Sequence, residues 1–465
     1  MQGFDIDPSG GMSETSFYLI MLRACRTKGR SGAPQLALLR WARKRGGLDK
    51  AALAHGNGLL LDAAAHGLTA VVKYLCCECY PEPGTLPEMF CFIRYMRVRA
   101  TPAPAEDIAE ILRYLREDVG LEPPANPPGD LSRRRVVLEA CSPNLKPISA
   151  TILHSLAWRY GFSRADIVHE ADSEPLFAAC WNGDLNLLRS LKYDYGCTPD
   201  NFTGVIKLLL ENWRDAAATP QERAEVWKAL RQDYALWLSD HLLKGAIRAT
   251  AISGGVEEAK VLHAEYGLAA RHVRAWDSIT LREVCRRTTP SGAALLKFFR
   301  EVLGTTAADA RVLNSQPLRF ACQAGNGAAV HYLAEGYGLG LEDLVGVVWA
   351  LCRSRKKRGH LGVLQSLHRD YGLGAEAFTA GNCAPVQLLA HHNQADLLSY
   401  LFEEMGLSRL QLPSLGGLLT RSKAPLQARV VLEEYLTPPK NEPVSAGGIH
   451  SRILNEPVPA GATHS

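Results

Sequence analysis

Cys76-Cys77-Glu78-Cys79, with Cys91 close behind, has the spacing of half a metal site. A Cys-x-x-Cys pair supplies two of the four ligands of a tetrahedral zinc, and a second pair must follow at suitable spacing. None does. Cys79 also falls on the apolar helical face already occupied by Val72 and Leu75, so these thiols are read as structural and no metal is expected. His391-His392 offers imidazoles, but adjacent residues on a helix point apart, which suits a surface rather than a ligand pair. The chain carries no phosphate-binding glycine loop, no Gly-x-Ser-x-Gly, no His-Glu-x-x-His and no kinase signature. We therefore expect a non-enzyme with no catalytic residues and no cofactor.

Basic clusters are the other residues with chemical potential. They are Arg26, Lys28 and Arg30; Arg97 and Arg99; Arg286 and Arg287; Arg353, Arg355, Lys356, Lys357 and Arg358; and Arg421 with Lys423. The run from Arg353 to Arg358 has the character of an anion-binding patch or a nuclear-import signal. Each cluster falls in the turn inside a helix pair, and stacked pairs would align such turns into a ridge. Against this, exposed turns are hydrophilic anyway, cations suit helix C-termini, and Asp184, Asp215, Glu257 and Glu258 interrupt the ridge. Nucleic acid is not the expected partner.

The elements that would carry these residues follow one recurring frame. An apolar residue is followed by another at +3, an aromatic or apolar residue at +4 from that, then Gly and an apolar residue. Leu153, Leu156, Tyr160, Gly161, Phe162 is one instance, and Leu188, Leu191, Tyr195, Gly196, Cys197 is the next. Val330, Leu333, Tyr337, Gly338, Leu339 and Leu364, Leu367, Tyr371, Gly372, Leu373 repeat it. The spacing puts three side chains on one face of a helix, and Gly takes the left-handed cap. The capping position recurs at Gly47, Tyr80, Gly120, Gly161, Gly196, Ala235, Gly267, Gly304, Gly338, Gly372, Gly406 and Leu436. The mean period is roughly 35 residues, within the range of helical repeats. Numbered by these caps, the chain predicts about twelve helix pairs.

The first helix of a pair is clearest in Glu174-Pro-Leu-Phe-Ala-Ala-Cys-Trp-Asn-Gly183 and Gln316-Pro-Leu-Arg-Phe-Ala-Cys-Gln-Ala-Gly325, with Ala384-Pro-Val-Gln387 a weaker third. Proline opens the helix, small residues permit close approach, and glycine ends it. These segments resemble the ankyrin repeat, whose first helix opens Thr-Pro-Leu-His and carries paired alanines. The resemblance implies an all-α, ankyrin-like solenoid over residues 16–436. Its Gly-Ala-Asp link is replaced by Tyr-Gly-Leu and stretches such as Ser163-Arg-Ala-Asp166 or Gly340-Leu-Glu-Asp343, so hairpin fingers should be short or missing. The Tyr-Gly-Leu ending is similar to arrays of large DNA viruses and protists. That resemblance implies protein–protein recognition on a concave face, with cellular proteins as partners and a monomeric scaffold.

Composition agrees with a soluble, repeat-built chain. Its 465 residues exceed what one core organises, and 47% hydrophobic with 22% charged residues is ordinary for a globular protein. A net charge of +4 is too small to point to nucleic acid by itself. Phe17–Leu22 is too short for a signal-peptide core with its cleavage site or for a membrane span, and twelve scattered cysteines suit buried free thiols. The expected location is cytoplasmic or nuclear, without membrane association or secretion. Residues 1–15 read as a flexible N-terminus. Residues 437–465 read as a disordered tail in which Asn441–Ser451 is duplicated as Asn455–Ser465, with eight of eleven positions identical. The duplication suits either a pair of linear ligands or an unconstrained tail, and the second is preferred. An alternative function is an F-box-like adaptor recruiting ubiquitin ligase machinery through Leu412-Pro-Ser-Leu415, and another is an anionic-surface binder using the basic edge.

Overall fold

A computed structural model describes residues 33–46, 58–79, 89–98, 103–122, 131–168, 173–287, 290–354, 359–407 and 425–436. The regular structure there is entirely helical, with no strand among the described residues. Contacts divide the chain into two compact blocks, residues 1–347 and 348–465, a boundary the period alone does not mark.

In the first block the helices come in successive pairs. Glu174–Asn182 with Leu185–Tyr193 and Gly58–Ala65 with Thr69–Cys79 are two of them, and each pair packs on the next. First helices meet first helices: Leu131–Ala140 touches Glu174–Asn182, which touches Phe202–Asn212, then Asp240–Ser253. Second helices do the same from Ala105–Glu117 through Ser149–Tyr160, Leu185–Tyr193 and Pro220–Gln232 to Val256–Tyr266. In the second block, Val348–Arg353 packs on Glu376–His391, and His360–Arg369 packs on Ala395–Glu403. Both Glu376–His391 and Ala395–Glu403 meet Leu426–Leu436.

The frame residues form the interface between the two helix layers. Leu153, Leu156, Leu188, Leu191, Val330, Leu333, Leu364 and Leu367 are all fully buried, each burial contributing about 1.5–3 kcal/mol. At the cap, the amide after the glycine position returns to the carbonyl of the second frame residue. Phe162 bonds Leu156, Cys197 bonds Leu191, Leu268 bonds Leu262, Leu373 bonds Leu367 and Leu407 bonds Leu401, all at 3.0–3.1 Å. Gly120, Gly161, Gly196, Gly267, Gly304, Gly338, Gly372 and Gly406 all have positive φ, and Ala235 holds the same conformation at φ 53°. The caps at Gly47 and Tyr80 lie outside the described residues.

A second set of caps ends the first helices, and it obeys a different constraint. A Cβ on Gly183 would stand 2.8 Å from Glu222 Cβ and 3.0 Å from Ala218 Cβ, side chains of the next repeat. A Cβ on Gly338 would meet nothing within 4 Å. Glycine is needed at both for its left-handed backbone, and at Gly183 also for close approach. The residue after each inner cap starts the second helix. Asp184 Oδ1 accepts from the Leu187 amide and Asn326 Oδ1 from the Ala329 amide, both at 3.0 Å. Asp184 was expected on the surface as a charge interrupting the basic ridge. It is buried instead, and burial holds its carboxyl above the usual carboxylate range.

Where hairpin fingers would lie, single helical turns stand: Arg164–Ile167, Ala270–Val273, Ala307–Ala310 and Leu341–Val345. Each follows a cap by a few residues and closes on a side chain at its third position. Asp166 Oδ2 accepts from the Ser163 amide at 2.7 Å, and Asp309 Oδ2 from the Thr306 amide at 2.7 Å.

Urea melts should separate the two kinds of cap. Gly338→Ala is expected to cost about 1–2 kcal/mol, the strain of a left-handed L-residue. Gly183→Ala should lose a further 1–3 kcal/mol or so by overpacking. Ala235→Gly should gain about 0.5–1 kcal/mol, because the relief of strain exceeds the added chain entropy. Equal losses at Gly183 and Gly338 would contradict the close-approach role.

Candidate interaction surface

The frame tyrosine does more than fill a hydrophobic slot. Tyr160 donates its hydroxyl to the carbonyl of Leu112 at 2.9 Å, and Tyr266 donates to that of Trp227 at 2.7 Å. Tyr234 donates to Leu188 at 2.5 Å, and Tyr337 to Leu296 at 3.3 Å. Leu112, Leu188, Trp227 and Leu296 each occupy the first frame position of the preceding repeat. One register therefore recurs at four junctions, with the phenol crossing to a backbone acceptor one repeat back. Burial pushes all four hydroxyls well above the ordinary phenol range, so they remain donors. Tyr195 departs from the set, since its buried hydroxyl has no hydrogen-bond partner among the described residues.

Arginines knit the opposite end of the pairs. Arg164 donates to the carbonyl of Gly196 at 2.9 Å, Arg274 to that of Gly304 at 3.3 Å and Arg311 to that of Gly338 at 3.4 Å. Arg274 also pairs with Asp309 at 2.8 Å, Arg311 with Asp343 at 3.0 Å and Arg133 with Asp166 at 3.2 Å. A third device ties the first helices. The amide of Asn182 donates to the Cys141 carbonyl at 2.8 Å, and in the second block that of Gln394 donates to Ser354 at 3.1 Å. Asn326 donates likewise to Arg287.

The junction of repeats six and seven is built differently. Gly255 stands where Asp184 and Asn326 stand elsewhere, and the space beside it is filled by the carboxylate of Glu258. Glu258 is fully buried and accepts from Arg223 Nε, from Trp213 Nε1 at 3.2 Å and from Ser253 Oγ at 3.1 Å. It too was expected to be a surface acid on the basic ridge. Of the four interrupting acids, only Asp215 and Glu257 are exposed.

The basic clusters are dispersed by pairing. Arg97 meets Glu139 at 2.8 Å, and Arg286 meets Glu283 at 2.9 Å and lies 4.0 Å over the Phe320 ring. Arg353 is exposed, 5.7 Å over Trp349. Arg355, Lys356, Lys357 and Arg358 lie outside the described residues, as do Arg26, Lys28, Arg30, Arg99, Arg421, Lys423, Leu412–Leu415 and the segments 1–15 and 437–465. Among the cysteines, Cys141, Cys180, Cys285, Cys322 and Cys352 are buried thiols pushed up by desolvation. Cys77 and Cys91 are exposed, contrary to a uniformly buried set. His391 is exposed and His392 half-buried. No group of residues able to hold a metal occurs among the described residues. No described helix is long and apolar enough to cross a membrane.

What remains exposed and apolar is unevenly placed. Trp158 and Tyr193 occupy the same position of consecutive second helices, three residues before Gly161 and Gly196. Trp276 and Leu313 are 47% and 50% exposed at equivalent positions before the first helices of repeats eight and nine. Both sit in a left-handed turn: Trp276, Asp277 and Ser278 have φ of 51–56°, and Leu313, Asn314 and Ser315 have φ of 53–58°. Asp and Asn tolerate this conformation, whereas Trp and Leu are strained in it by about 1–2 kcal/mol each. The turns are held by the Ser278 amide on the Arg274 carbonyl at 3.2 Å and the Ser315 amide on Arg311 at 3.0 Å. Ser315 Oγ also donates to Asp343 at 2.8 Å. Sequence reasoning passed over Trp276 and Leu313. The available signal was the shared pattern of a large apolar residue, Asp or Asn, and Ser just ahead of a first helix.

These features define an all-helical protein of stacked helix pairs with a strained, apolar turn edge. No family model matches the chain, and no curated protein matches it.

Hydroxyl deletions test the junctions. Tyr160→Phe and Tyr266→Phe should each cost about 1 kcal/mol in chemical melts, whereas Tyr195→Phe should be neutral or slightly stabilising. Glu258→Gln should cost about 3–5 kcal/mol by stranding Arg223, and the pair Arg223→Met with Glu258→Leu should recover most of that.

Proposed function

We propose that this chain is a non-catalytic ankyrin-like scaffold that binds a partner protein through the turn edge bearing Trp276 and Leu313 and the adjoining first helices. The observation that carries the reading is the repeated left-handed turn. Strain at non-glycine residues persists only where the surroundings enforce it, and such residues cluster at functional positions. Here the strain presents a large apolar side chain to solvent twice, in neighbouring repeats. Stability gains nothing from that exposure, while a partner's pocket would. Further support comes from the chemistry of the interior, where thiols, phenols and the Glu258 carboxyl are committed to packing or inter-repeat bonds.

The ankyrin-like element of the proposal rests on two glycine-ended first helices, Glu174–Asn182, opened by Pro175, and the part of Val312–Ala324 that carries Pro317 beyond the left-handed residues Leu313, Asn314 and Ser315, and on the paired second helices. The single turns and left-handed edges would then serve in place of fingers. A partner drawn from a host cell is the reading that the Tyr-Gly-Leu resemblance favours.

Affinity purification with the full chain tests this by comparing two double variants. Trp276→Ala with Leu313→Ala should weaken capture of a specific partner about 30-fold or more, as loss of an apolar hot spot does. Trp158→Ala with Tyr193→Ala, on the second-helix side, should leave it intact. Loss in the second variant alone would move the binding face, and a single folded Cys→Ser or His→Ala variant without any activity would overturn the non-catalytic reading.

A further inference from the structure

Repeats six to eight bring three guanidiniums toward one inner turn, around Gly254-Gly255. Arg223 lies beneath the surface, 4% exposed, with Nε on Glu258 and Nη1 on the Ala218 carbonyl at 3.0 Å. Its Nη2 is buried and meets no acceptor. Arg214 is exposed in the turn Trp213–Asp215, next to the Trp213 whose indole is bonded to the same Glu258. Arg287 follows the helix Ala275–Cys285, and its Nη1 would stand 3.3 Å from a Cβ on Gly254, with Ser291 Oγ at 2.8 Å. A side chain at Gly254 would therefore press on Arg287 and Ser291. The Arg287 backbone is fixed at both ends, its amide on the Val284 carbonyl at 3.2 Å and its own carbonyl accepting from Asn326.

Two of the neighbouring acids are already engaged. Glu258 takes bonds from Arg223, Trp213 and Ser253, and Glu283 pairs with Arg286. Asp215, exposed beside Arg214, pairs with no cation among the described residues. Burial, followed by repulsion from Arg214 and Arg223, holds the Arg287 guanidinium below the ordinary arginine range. Among the described residues of the first block, Arg97 is paired with Glu139 and Lys146 with Glu222, whereas Arg214 and Arg287 have no ion pair of their own and stand within repulsive range of each other and of Arg223. A bay suits one compact anion, whereas a ridge would suit a polyanion.

We infer that this bay binds a single tetrahedral oxyanion of the phosphate class, with Arg287 and Arg214 as its accessible contacts and Arg223 as the fixed charge behind them. Planar guanidinium forks match the oxygens of a phosphate, and partial burial strengthens each charge-assisted bond. The phosphate can be the free ion or an ester on a partner's serine.

Isothermal titration of the full chain tests this, with inorganic phosphate at constant ionic strength and acetate as the reference anion. A saturable one-to-one heat is expected for phosphate and none for acetate. Arg287→Gln should weaken phosphate binding about tenfold or more, Arg287→Lys less, and Arg189→Gln, remote from the bay, not at all. Circular-dichroism melts of the same variants confirm that they are folded. A phosphoserine peptide titrated beside its unphosphorylated form identifies the source. Tighter binding than inorganic phosphate assigns the ester, and equal or weaker binding assigns the free ion. Absence of saturable phosphate binding by the unaltered chain, or unchanged affinity in Arg287→Gln, overturns the inference. No partner protein enters the measurement, so its outcome is independent of the Trp276 and Leu313 edge.

Discussion

Buried polar groups at a repeat junction find their partners largely in the repeat next door, and this requirement orders much of the structure. A helix pair alone buries one face, and a phenol carried into that face needs an acceptor on whatever covers it. The tyrosine at the end of each second helix meets that demand at four junctions by donating to the first frame carbonyl of the preceding repeat. A leucine or phenylalanine would fill the same volume but forgo this second bond to a carbonyl that its own helix already engages, whereas a buried phenol without an acceptor would be a stranded donor. The aromatic position is therefore a polar specification made with an apolar-looking residue. The arginine bonds to cap carbonyls and the Asn or Gln bonds between first helices apply the same rule at other helix ends.

The +3/+4 spacing and the Gly-apolar ending were sufficient to locate the second helices, because local geometry alone determines them. The side chains at Leu153, Leu156 and Tyr160 fall on one face of any helix, and a glycine at 161 can end it whatever lies beyond. The polar stretch Ser163-Arg-Ala-Asp166 was legible as a short connection, and the structure makes it the helical turn Arg164–Ile167. Contacts between repeats were not. Asp184 and Glu258 look like surface acids in the sequence, but Asp184 turns inward to cap its own helix, and nothing near Glu258 in the chain reveals that Arg223 and Trp213 arrive from the preceding repeat. The left-handed turns were only faintly legible for a related reason: beyond the shared Asp or Asn and Ser, Trp and Leu carry no preference for positive φ, and the surrounding bonds impose it. The bay around Gly254 was partly legible, since Arg286-Arg287 was noted, but its remaining arginines come from another repeat.

Strain and cohesion are distributed unequally along the first block. Residues that hold repeats together sit in relaxed helical geometry, whereas the outward side chains Trp276 and Leu313 sit in turns that cost energy to maintain. The Arg274–Asp309 and Arg311–Asp343 pairs run directly beside these turns. Exposed ion pairs of this kind contribute little stability, and their consequence here is geometric, because they anchor the residues from which the strained turns depart.

The tyrosine bonds also bear on how such a chain can change over generations. Their acceptor is a peptide carbonyl, present whatever residue occupies the position, so Leu112, Leu188, Trp227 and Leu296 serve equally well. A repeat joined in this way can be duplicated, deleted or exchanged by recombination without a matching substitution in its neighbour. The junction of repeats six and seven lacks that freedom, because Arg223 and Glu258 recognise each other by side chain. A recombination event that separated them would leave a charge buried without its counterion. Repeats six and seven are consequently bound to be inherited together more strictly than repeats joined through carbonyls or through exposed ion pairs.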